Sequence, residues 1–346
     1  MNQTYQELKQ QYTALQQTEA YLNQQADTLR AAFQTFQPAS LVFIGCGSGF
    51  CLCQSASLTA ALSLPIPAYA IPAGDLMLRP NYYAPMLKNG LLIAPTRSGN
   101  TSEVILAIAA ARSVAQIHVL AISCVEHAAI NQVADLTLTL PWAFDQSVCQ
   151  TRSVTNLYTA SLIVTKILAG DRRLDQQIHA VIEQGPAYME KYEKQLSELG
   201  GLDFSTVYIL ADGEMAGLAS EGVMAFCEIA QVIGHHYHVL DVRHGPMVLV
   251  NSKTLVLAAL SDDLPAQQIK VIEELVARGA TVVTHQARAG QPIPGVALAV
   301  ESGLDLDNAV QGIPFIFLAQ ILAVAKAASL GINPDNPEGI VAWVKL

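Results

Sequence analysis

Two halves of this sequence pass through the same order of elements, and that repetition restricts the fold more than any single motif. In the first half the apolar run Leu41–Ile44 enters the turn GCGSGF and a small-residue helix from Cys51 to Leu62, and Pro67–Ile71 is a second short strand. Asn89 and Gly90 then introduce the strand Leu91–Ala94, which leads through TRSGNT into a helix ending near Val114. Strands follow at Ile117–Ile122 and Leu136–Leu140, with a short helix at Ile130–Ala134 between them and a long helix at Ser153–Ala169 after the loop Asp145–Thr151. About 160–170 residues further on, Val207–Leu210 enters ADGEMAG and Leu255–Leu260 stands for Leu91–Ala94. Val271–Ala277, Ala280–Thr284 and Ala297–Val300 match the later elements. A repeat of this length is duplication of a whole α/β unit. Strands alternating with helices build a parallel sheet covered on both faces, so two tandem doubly wound parallel-sheet domains are expected, at 37–170 and 201–346. A polar helical segment, 171–200, joins them, and residues 1–36 form one or two helices on the spacing of Leu8, Tyr12, Leu15, Leu22 and Leu29.

Composition agrees with that class. The chain has 346 residues, enough for two cores, with 51% apolar and 14% charged side chains. A formal charge of −10 excludes a general polyanion-binding face, so no nucleic-acid partner is expected. The stretch Ile313–Ile332 has about the length of a membrane span, but Gln320 and Lys326 interrupt it and Pro314 and Gly331 punctuate its ends. It reads as a buried core helix, with no membrane partner. The opening residues MNQTYQELKQ are polar and helical in pattern, unlike a signal peptide. The six cysteines form no CxxC pair, which favours reduced thiols in a cytoplasmic protein.

Chemistry enters at Ile93–Val104, IAPTRSGNTSEV. An apolar strand ends in Thr96, Ser98, Gly99 and Thr101, and a helical pattern begins at once. The first amides of a helix lack intrahelical acceptors and the macrodipole is positive there, so such a turn suits an anion such as phosphate. An ordinary capped strand-to-helix turn has the same composition, and these residues alone leave both readings open. The matching turn of the second half reads LSDDLPAQ, where Asp262 and Asp263 would repel an anion, so one anion site per chain is expected.

In the second half Glu221 and Glu228 are spaced to share one face of an apolar helix, about two turns apart. Buried carboxylates of this kind have raised proton affinity, which suits a general base; carboxylates bonded to backbone or in a salt bridge are the alternative. His244 lies on a loop, DVRHGP, and histidine is the residue type suited to acid–base work near neutral pH. His235, His236 and His238 enter a strand with side chains on opposite faces and no carboxylate at ligand spacing, so no metal is expected there.

These strings resemble the sugar isomerase (SIS) domain: GCGSG, TRSGNT, the loop before Ser153 and SEGVMAFCEIAQVIGHHYHVLDVRHGPM. The tandem arrangement, over about residues 36–346, resembles the isomerase half of glutamine–fructose-6-phosphate amidotransferase. Its stand-alone relatives are amino-sugar-phosphate deaminases, aldose–ketose isomerases and fructosamine-6-phosphate deglycases. The resemblance implies two flavodoxin-like domains and a hexose 6-phosphate substrate, often amino-substituted, with no cofactor. Thr96, Ser98 and Thr101 then occupy the phosphate-binding hydroxyl positions around Gly99, and Arg97 stands where Gln is common. Gly47 and Ser48 lie in the glycine turn across the sugar, and Gln150, Thr151 and Arg152 replace Ser, Thr and Lys in a loop bordering the phosphate. Glu228 matches the residue that moves a proton between C1 and C2, with Glu221 close by. His244 matches the ring-opening acid/base given to a neighbouring subunit's pocket, which implies a homodimer with shared sites.

Two family lysines are replaced, by Ala225 and by Ala342, with Lys345 further along the tail. The sequence carries no glutaminase half, so isomerisation, deamination or deglycation of a preformed sugar phosphate is expected. The replaced lysines also admit a non-catalytic sugar-phosphate sensor, although no helix-turn-helix segment accompanies it.

Overall fold

The structure is a computed structural model that describes residues 2–288 and 290–346. Three helices, where one or two were expected, open it: α1 (Gln3–Lys9), α2 (Gln11–Gln24) and α3 (Ala26–Phe36). The leucines and tyrosine that predicted them, from Leu8 to Leu29, are all fully buried in one core with the long helices that follow.

The first sheet comprises β1 (Ser40–Gly45), β2 (Ala68–Pro72), β3 (Gly90–Thr96), β4 (Ile117–Ser123) and β5 (Leu136–Thr139). Between them run α4 (Ser48–Ser63), α5 (Ala73–Leu78), α6 (Pro80–Leu87) and α7 (Ser102–Val114), and α8 (Arg152–Ala169) closes the unit. After α9 (Arg172–Gly200) the plan repeats as β6 (Thr206–Leu210), α10 (Ala216–Ala230), β7 (Ile233–Tyr237) and β8 (Thr254–Ala259). It continues through α11 (Ala266–Ala277), β9 (Thr281–Gln286), β10 (Leu298–Glu301) and α12 (Asn308–Leu330). All strands are parallel, and the two sheets have the same order, β2-β1-β3-β4-β5 and β7-β6-β8-β9-β10. This is the doubly wound, flavodoxin-like arrangement expected of a duplicated unit.

Strand composition follows position. The interior strands β1, β3 and β8 are buried along their whole length and are nearly continuous apolar runs, as parallel strands covered on both faces must be. The edge strand β7, IGHHY, is half-exposed and carries His235 and His236 within it rather than ahead of it. Two local expectations are corrected, and one segment left without a reading is filled in. α4 starts at Ser48 instead of Cys51, because Gly47, at φ +52°, makes the bend directly before it. Residues Ala129–Gln132 form a single 3₁₀ turn, shorter than the helix expected there. The segment 73–87 holds α5 and α6, which carry no long apolar periodicity and contain Pro80 and Pro85.

The repeats pack through α4 and α10 at a backbone-close contact. A Cβ on Gly217 of α10 would lie 2.5 Å from the Cys51 carbonyl oxygen of α4. α12, which by length and composition could span a membrane, lies inside the protein with 78% of its apolar window buried. Two of its polar members reach backbone carbonyls: Gln320 donates to the Thr151 carbonyl at 2.9 Å and Lys326 to the Leu202 carbonyl at 2.7 Å.

On β9, the buried His285 packs its ring 5.6 Å from that of Phe315. Burial holds its pKa down to about 4, below the ordinary value of 6.5. The unfolded chain therefore takes up this proton first, and the stabilisation is complete above pH ~6.5 and lost as pH falls towards 4. The loss amounts to about 3 kcal/mol at the acid end. Urea unfolding from pH 7 to 4.5 is expected to show a shallower decline for His285→Leu than for the wild type; parallel curves would exclude this histidine as the cause.

Candidate active site

Strand order reverses between β1 and β3, so the turns that follow them lie side by side at the carboxyl edge of the first sheet. An open α/β sheet leaves its binding crevice at such a point. β3 ends at Thr96 and the chain turns through Arg97–Thr101 into α7. Gly99 has φ +61°, and a Cβ there would lie 2.5 Å from the Cβ of Ala128, so both conformation and space demand glycine. The turn bonds to itself: the Thr96 hydroxyl accepts from Gly99 N–H at 3.2 Å and the Ser98 hydroxyl from Asn100 N–H at 3.1 Å. Asn100 also accepts from Ala129 N–H at 3.0 Å, which ties the turn to the segment after β4.

Thr101 is the N-cap of α7, yet its side chain caps none of the helix's amides. A threonine at this position ordinarily accepts from the second or third amide of its helix. Its hydroxyl therefore remains available beside a positive helix end. Thr96, Arg97, Ser98, Thr101 and Gln150 line a small cavity of about 50 Å³. That is a few times the ~10–15 Å³ that one water requires by this measure, so the cavity suits a small group such as a phosphate. Ala342 of the C-terminal segment closes one side, while Lys345 is exposed and does not line it. The same segment reaches the helix end, where Ser102 N–H donates to the Val344 carbonyl at 3.2 Å.

Arg97 is buried, and its donors serve the surrounding chain. One terminal nitrogen donates to the Ser147 and Val148 carbonyls at 2.8 and 3.0 Å, and the other to the Ala342 carbonyl at 2.6 Å. Only Nε lacks a protein partner. The guanidinium brings charge to the cradle without offering its full fork of donors. Burial lowers its pKa, and the carboxylates of Asp145 and Glu228 oppose that.

The loop before α8 is built on Asp145, whose buried carboxylate accepts from the Thr151 and Ser153 backbone N–H groups, each at 2.9 Å. Gln150 reaches the cavity, and the Thr151 hydroxyl is buried with no protein partner. Arg152 turns away, donating to Gln10 at 2.6 Å and to the Phe144 carbonyl.

From the other repeat, α10 presents its carboxylates to this same region. Gly47 faces Met224, and the Cys51 thiol meets the Ser220 hydroxyl at 3.4 Å. Ser48, the first residue of α4, is buried with its hydroxyl beside Glu221. Glu221 is buried, and one of its oxygens has no partner. Burial pushes its pKa well above the usual carboxylate range, Glu228 pushes the same way, and Ser48 opposes. Glu228 is half-buried; burial raises its pKa and Arg97 lowers it. Among the described residues neither glutamate forms a salt bridge. Neither glutamate lines the cavity itself: Glu228 is coupled to the cradle through the charge of Arg97, and Glu221 stands beside Ser48 of α4.

His244 is not brought to this cavity. It caps the 3₁₀ turn Asp241–Arg243, with its N–H on the Asp241 carbonyl at 2.9 Å, and is exposed. Val248 and Leu249 nearby are 75% and 63% exposed, so an apolar surface surrounds it. His238 lies 3.3 Å from the Asp212 carboxylate, and His235 packs its ring against Tyr208 at 5.4 Å. In the second repeat Asp262 accepts from Ala287 N–H at 2.9 Å. Thus the chain's own carboxylate stands at the turn corresponding to the cradle.

The SIS domain family profile matches residues 36–169. D-galactosamine-6-phosphate deaminase AgaS of Shewanella sp. is 30% identical over 279 residues, which span 78% of this chain and 69% of that protein. The chain belongs to the SIS domain family. Its fold is also that of glucosamine-6-phosphate deaminase from Thermotoga maritima, with a TM-score of 0.84 at 22% identity over 100% of both chains. Tagatose-6-phosphate ketose/aldose isomerase from Escherichia coli gives a TM-score of 0.83 at 22% identity, over 98% of this chain and 96% of that one.

Because the Thr101 side chain bonds no amide of α7, Thr101→Val should leave the urea-unfolding free energy within about 0.5 kcal/mol of wild type. The same variant should weaken binding of inorganic phosphate by about tenfold, the loss of one hydrogen bond to a charged group. A stability loss with unchanged phosphate affinity would instead make Thr101 an ordinary helix cap.

Proposed function

We propose that this chain is a sugar-phosphate isomerase or deaminase that takes a hexose 6-phosphate, with an amino-substituted sugar favoured. The observation that carries the reading is the pair Glu221 and Glu228, two carboxylates without salt-bridge partners on a helix packed against α4, of which Glu228 is coupled through Arg97 to a small hydroxyl-lined cavity at a helix N-terminus. A structural carboxylate would be paired; an unpaired one with raised proton affinity is suited to move protons.

In this reading Thr96, Ser98 and Thr101 hold the phosphate, and Gly47 and Ser48 pass across the sugar. Gln150 and Thr151 border the phosphate, and the unpartnered Thr151 hydroxyl supports a ligand contact there. Once the ring is open, Glu228 as carboxylate removes the proton from C2, giving an enediol, or an enolamine when C2 carries nitrogen. Returning that proton to C1 makes the ketose or, for the amino sugar, a ketimine. Water adds to the ketimine and ammonia leaves, so an amino-hexose phosphate and water become a ketose phosphate and ammonia. Glu221, whose proton affinity burial raises, is the donor to the oxygen on which charge develops. Proton transfer beside a carbonyl requires a placed base and donors, which these side chains supply without a cofactor.

Ring opening is assigned to His244 of a second copy, since His244 is exposed on an apolar surface and away from its own chain's cavity. The homodimer with shared sites belongs to this proposal. So does a cytoplasmic setting, which is supported by free cysteines of which Cys51 and Cys149 are pushed up to about 12 by burial. A sensor without turnover is the second reading, favoured by Ala342 at the cavity wall where the resemblance places a lysine. A deglycase would use the same base on a fructosyl amine.

Glu228→Gln should lower turnover by about 10²–10⁴-fold while binding of a phosphosugar stays within about threefold. The acid limb of the wild-type rate profile should lie above that of an ordinary glutamate, because the base is active only when ionised and its pKa is raised. Ammonia and ketose release from galactosamine and glucosamine 6-phosphates reads out the chemistry. Turnover that survives the substitution would remove Glu228 from the role of base, and phosphosugar binding without turnover in the wild type would favour the sensor.

A further inference from the structure

The loop 145–151 carries Gln150 into the cavity and receives Arg97, yet it has no regular structure to hold it. Its backbone groups must find partners elsewhere. The N-terminal helix α1 supplies them. Glu7 is fully buried, and its carboxylate accepts from Gln146 N–H at 2.6 Å, from Ser147 N–H at 3.3 Å and from the Ser147 hydroxyl. A further donor is the Gln3 side chain, at 3.1 Å.

On the other side of the same residues, Arg97 donates to the Ser147 and Val148 carbonyls. A buried carboxylate and a buried guanidinium therefore grip adjoining peptide groups of one loop from opposite directions. Glu7 is also among the carboxylates that keep Arg97 charged. α1 itself is fastened at its start by Asp335, whose carboxylate accepts from Gln3 and Thr4 N–H at 2.9 and 2.8 Å. The Asp335 carbonyl accepts Val148 N–H at 2.9 Å, which returns the connection to the loop. Both ends of the chain are bound to the segment bordering the cradle. α1 lies outside the residues 36–169 that match the family profile.

We infer that Glu7 is a positioning residue for the anionic end of the substrate: through Ser147 and Val148 it holds Arg97 and Gln150 at the cradle. Without this acceptor the Gln146 and Ser147 amides lose their partner in a buried place, and the loop must shift to satisfy them. The carbonyls that orient Arg97 shift with it. Glu7 touches none of the cradle's hydroxyls, so its effect is on binding and not on the proton transfer at α10. This inference rests on the cradle's being a phosphate site.

Calorimetric titration of the full chain with inorganic phosphate tests it. Glu7→Gln, which replaces an acceptor oxygen by an amide donor facing other donors, should raise the phosphate Kd by about tenfold. In turnover it should raise KM by a similar factor and change kcat by less than about threefold. Leu15→Ala, which loosens the same N-terminal helices without touching the loop, should destabilise the protein and leave the phosphate Kd per folded molecule unchanged. Equal weakening by Leu15→Ala would make Glu7's role general stability and overturn the inference. An unchanged Kd in folded Glu7→Gln would overturn it while the phosphate reading of the cradle stands. Absence of phosphate binding in the wild type would overturn both. Should Glu7→Gln fail to fold, Ser147→Ala removes one of the bonds to Glu7, and a rise of about threefold is expected; no rise there overturns the inference as well.

Discussion

Every helix that follows a parallel strand begins at the carboxyl edge of the sheet, with its first amides unbonded and its dipole positive. A doubly wound chain therefore has to answer the same polar requirement once for each repeat. Neither α7 nor α11 has a side-chain cap. In the second repeat the chain's own groups occupy the turn before α11: Asp262 accepts Ala287 N–H and Gln268 accepts Ser261 N–H, each at 2.9 Å. The first repeat surrounds the start of α7 with hydroxyls. Under the proposed function one architecture holds an anion in one copy and its own carboxylate in the other, and the second copy gives its glutamates to the site of the first.

Placing carboxylates where α10 meets α4 has a cost, since charge is disfavoured away from water. Glu221 and Glu228 are tolerated because Ser48 hydrogen-bonds the first and the charge of Arg97 offsets the burial of the second. The thiols around the same region have raised pKa values, so they are poor nucleophiles and act as small apolar residues. The acid–base groups of the proposal are therefore the two glutamates on the inside and His244 on the outside.

Much of this was legible from local pattern. The interior strands announced themselves as apolar runs, the turn at Gly99 by its small hydroxyl residues, and the duplication by element order. α12 was recognisable as a core helix from Gln320 and Lys326, each of which finds a backbone carbonyl. Nonlocal partnerships were not legible. Nothing around Glu7 in sequence indicates a loop near Ser147, and Arg97 reads as a phosphate ligand until its carbonyl partners are seen. α5 and α6 escaped because short helices with internal or leading proline lack a full apolar period. His244 was singled out by resemblance alone, because DVRHGP by itself reads as an ordinary loop.

Under the proposed function the two repeats divide the work: the first binds phosphate and the second supplies the proton-transfer groups. A crystal structure with an open-chain hexitol 6-phosphate is the decisive measurement. One ligand per chain is expected, its phosphate oxygens within hydrogen-bond distance of the Thr96, Ser98 and Thr101 hydroxyls and its C1–C2 end directed at Glu228. A phosphate bound instead at the turn of Asp262, or a sugar chain directed away from α10, would contradict it.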